Sequence, residues 1–455
     1  MEEEAKTAHV LVVPFPGQGH LNPMLQFSRR LVSKGLHGTF VVTTYISRSK
    51  NLSSSTDPLR FDTISDGFDE GGSKQAASME AYLSSLHSTG RKTLTDLLKK
   101  HQSSSNPIDY VICEPFLLWA LDVEKNFGLV AAGFFTHACA VDNIFYNFYR
   151  KMSPDPVSGP VSMKGLPTLE LQDLPSFIVP PESYPANLKM IMSQFANIEK
   201  ADFVLIYTFY KLGSEVVETR SKICSLLTIG PTIPSFYLDK RIQKDDDYGI
   251  DLHTIDASIS ISWLNMKPAG SVVYVSFGSI DNINEKQMEE IAWGLKRSNF
   301  YFLWVVKISE EAKLPKGFAE EVADKGLIVN WSPLVKVLAS EAVGCFLTHC
   351  GWNSTIEALS LGVPMVTLPR WSDQPTNAKF VEDVWRVGIR AKVDGDPIVK
   401  REEIEFCIKE AMEDVKRNEM MKNSEKWREL AIEAVNEGGT SDRNIDKLVS
   451  QFINS

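Results

Sequence analysis

No apolar run in this chain approaches the ~20 residues that a membrane span needs. It has no basic run either, and its formal net charge is −10, which argues against nucleic acid and anionic membrane surfaces as partners. The start, MEEEAKTAHV, is acidic and lacks the basic-then-apolar order of a signal peptide. The six cysteines, Cys113, Cys139, Cys224, Cys345, Cys350 and Cys407, are scattered through mostly apolar stretches. Cys345 and Cys350 find no second pair at zinc spacing, so buried free thiols in a reducing compartment are expected, and with them a cytoplasmic protein. No Gly-x-Gly-x-x-G follows the first strand, which disfavours a dinucleotide-dependent dehydrogenase. No short-period repeat is present.

What remains is a 455-residue chain of ordinary hydrophobic content, too long for one compact core, so two domains are expected. His9–Val13 is a largely apolar run, as in a strand buried on both faces. Met24–Gly35 reads as an amphipathic helix ending at glycine, and Leu36–Thr43 as the next strand. Tyr110–Cys113 and Val130–Phe135 are further strands around a helix over Leu118–Phe127. A second alternating set places strands at Val272–Val275, Phe302–Val306, Gly326–Val329, Gly344–Leu347 and Met365–Leu368. Strands alternating with helices imply parallel sheets, in which ligands bind beyond the carboxyl ends of strands. Between the sets, a stretch with Pro234, Lys240, Arg241, Lys244 and Asp245-Asp246-Asp247 reads as a linker.

The segment Trp331–Gln374 carries the most chemistry. An apolar strand ends in Thr348-His349-Cys350-Gly351-Trp352-Asn353-Ser354, a helical pattern follows, and the segment closes on Asp373-Gln374. The first N–H groups of a helix lack partners and carry partial positive charge, so a turn of this composition can receive a phosphate. Ser354 and Glu357 also fit a Ser-x-x-Glu capping box, which would account for those two alone. His20, after Gly17-Gln18-Gly19, stands at a strand end as either a base or a structural histidine, and Glu114 stands at another. His37, His87, His101 and His253 read as surface residues.

The Trp331–Gln374 segment resembles the donor-binding signature box of the plant UDP-sugar-dependent glycosyltransferases of family 1. The likeness extends to Val12-Val13-Pro14-Phe15-Pro16-Gly17-Gln18-Gly19-His20-Leu21-Asn22-Pro23, similar to the family's acceptor-side motif, and to Val273–Ser279. Tyr237-Leu238-Asp239-Lys240-Arg241 is similar to the subgroup often called group L. The resemblance implies the GT-B fold, two facing Rossmann-like α/β domains. Residues 1–235 would form the acceptor-binding domain, with C-terminal helices over about 436–455 packing back on it. Residues 236–256 would be the linker and 257–435 the UDP-sugar-binding domain.

The implied reaction is inverting transfer of glucose from UDP-glucose to a hydroxyl or carboxyl of a small hydrophobic acceptor, such as a phenolic, terpenoid or steroid, giving a β-glucoside. His20 would be the base and Glu114, where the family commonly has Asp, its orienting acid. Trp331 would stack on uracil beside the backbone of Ser332, and Glu357 would take the ribose. His349, Asn353, Ser354 and Ser279 would hold the diphosphate, and Trp352, Asp373 and Gln374 the sugar. For Trp331 and Trp352 the competing reading is core packing. Phe15, Phe116, Leu117, Phe145, Phe148, Met190 and Phe195 are candidates to line an apolar acceptor pocket, and several of them must be core.

The box departs from its usual form at Leu334, at Ser340-Glu341 and at Arg370. Asp394-Gly395-Asp396 superficially matches a metal-binding Asp-x-Asp but precedes Pro397, and a plain turn is the expectation. No cofactor and no metal are therefore expected, nor membrane insertion, and a monomer is anticipated. Two other classes stay open: a sugar-nucleotide epimerase, which would consume no acceptor, and a non-catalytic nucleotide-sugar or steroid binder, which would need no base.

Overall fold

The structure, a computed structural model, describes residues 7–52, 59–151, 159–179, 184–250, 252, 258–279, 282–393, 397–413 and 415–454. In the first half lie β1 (His9–Val13), β2 (His37–Thr43), β3 (Leu59–Ile64), β4 (Tyr110–Cys113), β5 (Val130–Phe135), β6 (Phe203–Ile206) and β7 (Leu226–Thr228). They form a parallel sheet in the order β3-β2-β1-β4-β5-β6-β7. The second half holds β8 (Val272–Ser276), β9 (Tyr301–Val305), β10 (Gly326–Val329), β11 (Val343–Thr348), β12 (Met365–Thr367) and β13 (Gly388–Arg390). These too are parallel, in the order β10-β9-β8-β11-β12-β13. Helices link the strands of both sheets, and the architecture is GT-B.

Period-2 alternation explains how two such sheets share a core. In β1, Val10 and Val12 feed one apolar cluster while Leu11 and Val13 feed another on the opposite face. In β8, Val272 and Tyr274 join the same cluster as Val10 and Val12, and Val273 and Val275 point into a third. One continuous core therefore runs between the domains and fixes how they face each other. Each sheet reverses its strand order once beside its first strand, between β1 and β4 and between β8 and β11. Those switch points are where open α/β sheets bind ligands.

Helix limits depart from expectation in one informative place. The first helix runs Gln18–Ser33, starting well before Met24, with Pro23 inside it. Gly17 caps it in extended conformation, and Gly35, at φ +95°, ends it in the left-handed region. The early start puts His20 in the helix's first turn. The strand Gly388–Arg390 ends short of Asp394, Gly395 and Asp396, which lie outside the described residues, as does His253.

The segment after β7 clasps both ends of the first domain. Asp239 takes a bidentate pair from Arg30 (2.7 and 3.0 Å), and Arg241 reaches Asp442 of the last helix at 2.9 Å. That helix, Thr440–Asn454, lies on the first sheet: Ser441 donates to the Gly230 carbonyl (2.6 Å), Asn444 to that of Thr228 (2.9 Å), and Phe452 stacks on Tyr110. No helix among the described residues is long and apolar enough to cross a membrane.

Candidate active site

At the first switch point, His20 and Glu114 meet. His20 Nδ1 lies 2.5 Å from Glu114 Oε1, and the Thr136 hydroxyl, 3.1 Å from the same nitrogen, donates to the same oxygen at 2.9 Å. The other carboxylate oxygen accepts from the Phe15 N–H at 3.1 Å. Glu114 is 2% exposed and His20 19% in their side chains, so the acid is enclosed and the imidazole opens to the cleft. With Nδ1 committed, Nε2 is left to accept a proton. Phe15 and Phe116 pack edge-on against the His20 ring, at centroid distances of 5.2 and 5.6 Å.

The second switch point lies across from it. His349, Cys350 and Gly351 join β11 to the helix Trp352–Leu361. Gly351 is the N-cap and no side chain caps the helix, so the Ser354–Glu357 capping box does not form. Ser354 sits instead in the first turn, where backbone N–H groups lack helical partners. His349 is buried between two glycines: a Cβ on Gly278 would come 2.8 Å from its Nε2, and one on Gly351 2.6 Å. Gly278, at φ +73°, also adopts a conformation that other residues avoid. Burial brings the His349 pKa down to about 4, against a weaker upward pull from Asp373, so the ring is neutral at pH 7 and acts as a hydrogen-bonding group rather than a charge. Lys307 and Arg370 lie within charge range of it.

Two of the donor-side candidates have side chains engaged with the first domain. Trp352 was expected on the sugar, yet its indole is 4% exposed and donates to the Tyr207 carbonyl of the first domain at 2.7 Å, beside Trp385. Its ring holds the domains together, leaving its backbone for the helix N-terminus. Asn353 was expected on the diphosphate, but its amide nitrogen donates to the Gly19 carbonyl at 2.7 Å.

The remaining donor-side candidates gather along the carboxyl edge of the second sheet. Trp331 is half-buried just past β10, and Ser332 is buried with its hydroxyl 2.8 Å from that of Tyr274. Ser279 is exposed after β8. Asp373 accepts from the Asn377 amide at 2.7 Å. Gln374 Oε1 accepts from the N–H groups of Arg370 (2.9 Å) and Trp371 (3.1 Å), which leaves its Nε2 as the free end. Glu357 is buried, with Oε1 bonded to the Tyr248 hydroxyl and Oε2 without a partner among the described residues. Leu334 packs partly buried at a short helix start, Glu341 is exposed, and Arg370 donates to the Asn282 carbonyl at 3.2 Å.

Of the acceptor candidates, Phe15 and Phe116 stay half-buried beside His20, and Phe148 and Met190 are half-buried on neighbouring helices. Leu117, Phe145 and Phe195 are the buried ones, as expected for the several that must be core, and Phe195 stacks on Phe135 at 5.8 Å. Thr136, His137 and Tyr248 went unread. The first two follow directly on β5, and strand-end position was the signal available for them. His137 packs edge-on between Phe116 (5.8 Å) and Phe145 (5.9 Å). Of the histidines read as surface, His37 and His87 are exposed, while His101 is half-buried with Nε2 3.1 Å from Asp62. All six cysteines are unpaired, and all but Cys224 are buried.

Comparison with known proteins places this geometry in context. Residues 247–434 match the family described as UDP-glucoronosyl and UDP-glucosyl transferase, and residues 6–64 match the glycosyltransferase N-terminal domain. The chain is 50% identical to the flavonol 7-O-beta-glucosyltransferase UGT74F1 of Arabidopsis thaliana, over 99% of each chain. It is 51% identical to UDP-glycosyltransferase 74F2 of the same plant, over 98% of this chain and 99% of that one. Among solved structures it is similar to Os79 from O. sativa in complex with UDP, at a TM-score of 0.90 and 37% identity, covering 97% of this chain and 100% of that one.

Proposed function

This chain belongs to the plant UDP-dependent glycosyltransferases of family 1, and from that premise we propose that it transfers glucose from UDP-glucose to a hydroxyl or carboxyl of a small hydrophobic acceptor, with inversion. The observation that carries the proposal is the His20–Glu114 pair opposite the Trp352–Leu361 helix start. A binder needs no base, and an epimerase needs acid and base groups on the donor sugar itself. Here the base stands on the first domain, among aromatic rings that suit an apolar acceptor.

In the proposed step, His20 Nε2 takes the acceptor O–H proton while the oxygen attacks the anomeric carbon. The bond from that carbon to the UDP oxygen breaks on the opposite face, so an α-linked donor gives a β-glucoside. Glu114 holds the imidazole and stabilises the imidazolium as it forms. The backbone N–H groups at residues 352–354, the neutral His349 and the nearby cations Lys307 and Arg370 meet the developing charge on UDP. Asp373 and the Nε2 of Gln374 take sugar hydroxyls, Trp331 stacks on uracil, and Glu357 takes the ribose. This assignment uses no metal.

The same proposal divides the labour between the acceptor half, 1–235 with 436–455, and the donor half, 257–435. It also includes a monomer in the cytoplasm and membership of group L. An acceptor panel with UDP-glucose, read by UDP release and product mass, is the test. Products heavier by one hexose support transfer. Interconversion of the UDP-sugar without an acceptor product favours the epimerase, and binding without turnover favours the binder.

A further inference from the structure

Tyr248 lies on a strap that crosses the first helix. Gln26 and Arg29 each donate to the Asp247 carbonyl, at 2.9 and 2.8 Å, and Arg29 pairs with the Asp245 carboxylate at 2.6 Å. On the far side, the Gln18 amide donates to the Ile250 carbonyl at 2.8 Å and accepts from the Leu252 N–H at 2.7 Å. Clamped before and after, Tyr248 projects across to the second domain, where its hydroxyl donates to Glu357 Oε1. Burial and the neighbouring Glu357 push the phenol well above its ordinary pKa, so it keeps its proton at every working pH, while burial raises Glu357 from 4.5 to about 8.

The other carboxylate oxygen, Glu357 Oε2, is buried and has no hydrogen-bond partner among the described residues. Leaving such an atom unpaired is costly, a cost that a donating hydroxyl of a bound nucleotide would remove. We infer that Tyr248 is a positioning residue for donor binding: its hydroxyl fixes one oxygen of Glu357 so that the other faces the ribose diol of a uridine nucleotide. The inference rests on the assignment of Glu357 to ribose made above. The strap also ties this contact to the helix that carries His20, since Gln18 holds it two residues from the base.

The test is calorimetric titration of the full chain with UDP and with 2′-deoxy-UDP, for wild type, Tyr248→Phe, Glu357→Gln and the double variant. Tyr248→Phe is expected to weaken UDP about fivefold to tenfold and 2′-deoxy-UDP less than twofold, so that ribose discrimination falls. In the Glu357→Gln background the same change is expected to add less than twofold, because the hydroxyl acts through that carboxylate. Equal weakening of both nucleotides, or independent multiplication of the two effects, overturns the inference. If Glu357→Gln collapses discrimination and Tyr248→Phe does not, the ribose assignment stands and the positioning role falls. If Glu357→Gln leaves discrimination intact, both fall.

Discussion

The side-chain amide of Asn353 donates to the carbonyl of Gly19 at 2.7 Å, and Pro23 is the reason that carbonyl can accept. In the Gln18–Ser33 helix, Gly19 would ordinarily bond to the N–H four residues on, but that residue is Pro23 and has none. The released carbonyl, next to His20, takes its hydrogen bond from the Trp352–Leu361 helix instead. Asn353→Ala is expected to leave the carbonyl unpaired and to lower kcat/KM about tenfold. Asn353→Asp keeps the shape but sets a carboxylate against a carbonyl, and is expected to be more damaging still. Steady-state kinetics with melting temperatures check the order; an Asp variant more active than the Ala variant would refute the contact's role.

The His20–Glu114 pair gives a prediction with a definite sign. Both Glu114 oxygens are in use, from His20 and Thr136 on one and the Phe15 N–H on the other, within a closed pocket. Glu114→Asp shortens the reach by one methylene and cannot keep all three bonds. Its kcat is expected to fall at least tenfold, and that of Glu114→Ala further. His20→Ala is expected to abolish transfer to alcohols while UDP still binds. An Asp variant as active as wild type sinks the geometry argued here, and His20→Ala within a few-fold of wild type sinks the base.

Much of this was legible before any coordinates. Strand ends carry the chemistry in a parallel sheet, so His20, Glu114 and His349 could be placed from hydrophobic runs and the polar residues closing them. Side-chain direction was not legible. Trp352 and Asn353 sit in the box beside Ser354, but a helix turns about 100° per residue, and their side chains face the other domain while the backbone N–H groups face the cleft. The capping-box reading failed because Gly351, three residues before Ser354, already starts the helix. Tyr248 could not be read because its partner, Glu357, lies far along the chain in the other domain.

Glu124 supplies a pH test outside the site. It is fully buried in the Leu118–Asn126 helix, with only the weak Cys113 thiol to donate to it among the described residues, and burial pushes its pKa from 4.5 up to about 8. The folded pKa lies above the unfolded one, so this group's stability is fully present below pH 4.5 and is lost as pH rises through about 8. Glu124→Gln mimics the protonated acid. It is expected to match wild type near pH 4.5 and to melt about 3–6 °C higher at pH 8.5. Equal shifts at both pH values would contradict the buried-acid account.

Divalent ions are expected to be dispensable. In the proposed reaction, charge on the departing diphosphate would be met by the helix start, by His349 and by Lys307 and Arg370. Activity in excess EDTA within twofold of that in magnesium is the expected result. Loss in EDTA with recovery on adding a divalent ion would return Asp394 and Asp396 to consideration as ligands.

Donor choice follows from how Gln374 is held. Its Oε1 is occupied by the N–H groups of Arg370 and Trp371, so only its Nε2 can address the sugar, as a donor. On the proposed assignment Asp373, beside it, would accept from a sugar hydroxyl through a charge-assisted bond. Inverting one hydroxyl, as galactose does, leaves one of these buried groups unpaired at roughly 1–3 kcal/mol. UDP-glucose is therefore expected to exceed UDP-galactose in kcat/KM by about tenfold or more. Gln374→Ala removes the loop's anchor as well as the donor, so loss there mixes two effects. Gln374→Glu separates them: the retained oxygen still holds the Arg370 and Trp371 N–H groups, while the donor becomes an acceptor. Its melting temperature is expected to stay within a few degrees of wild type while the glucose preference falls severalfold. Equal kcat/KM for the two donors in the wild type, or an undiminished preference in Gln374→Glu, removes Gln374 from the sugar.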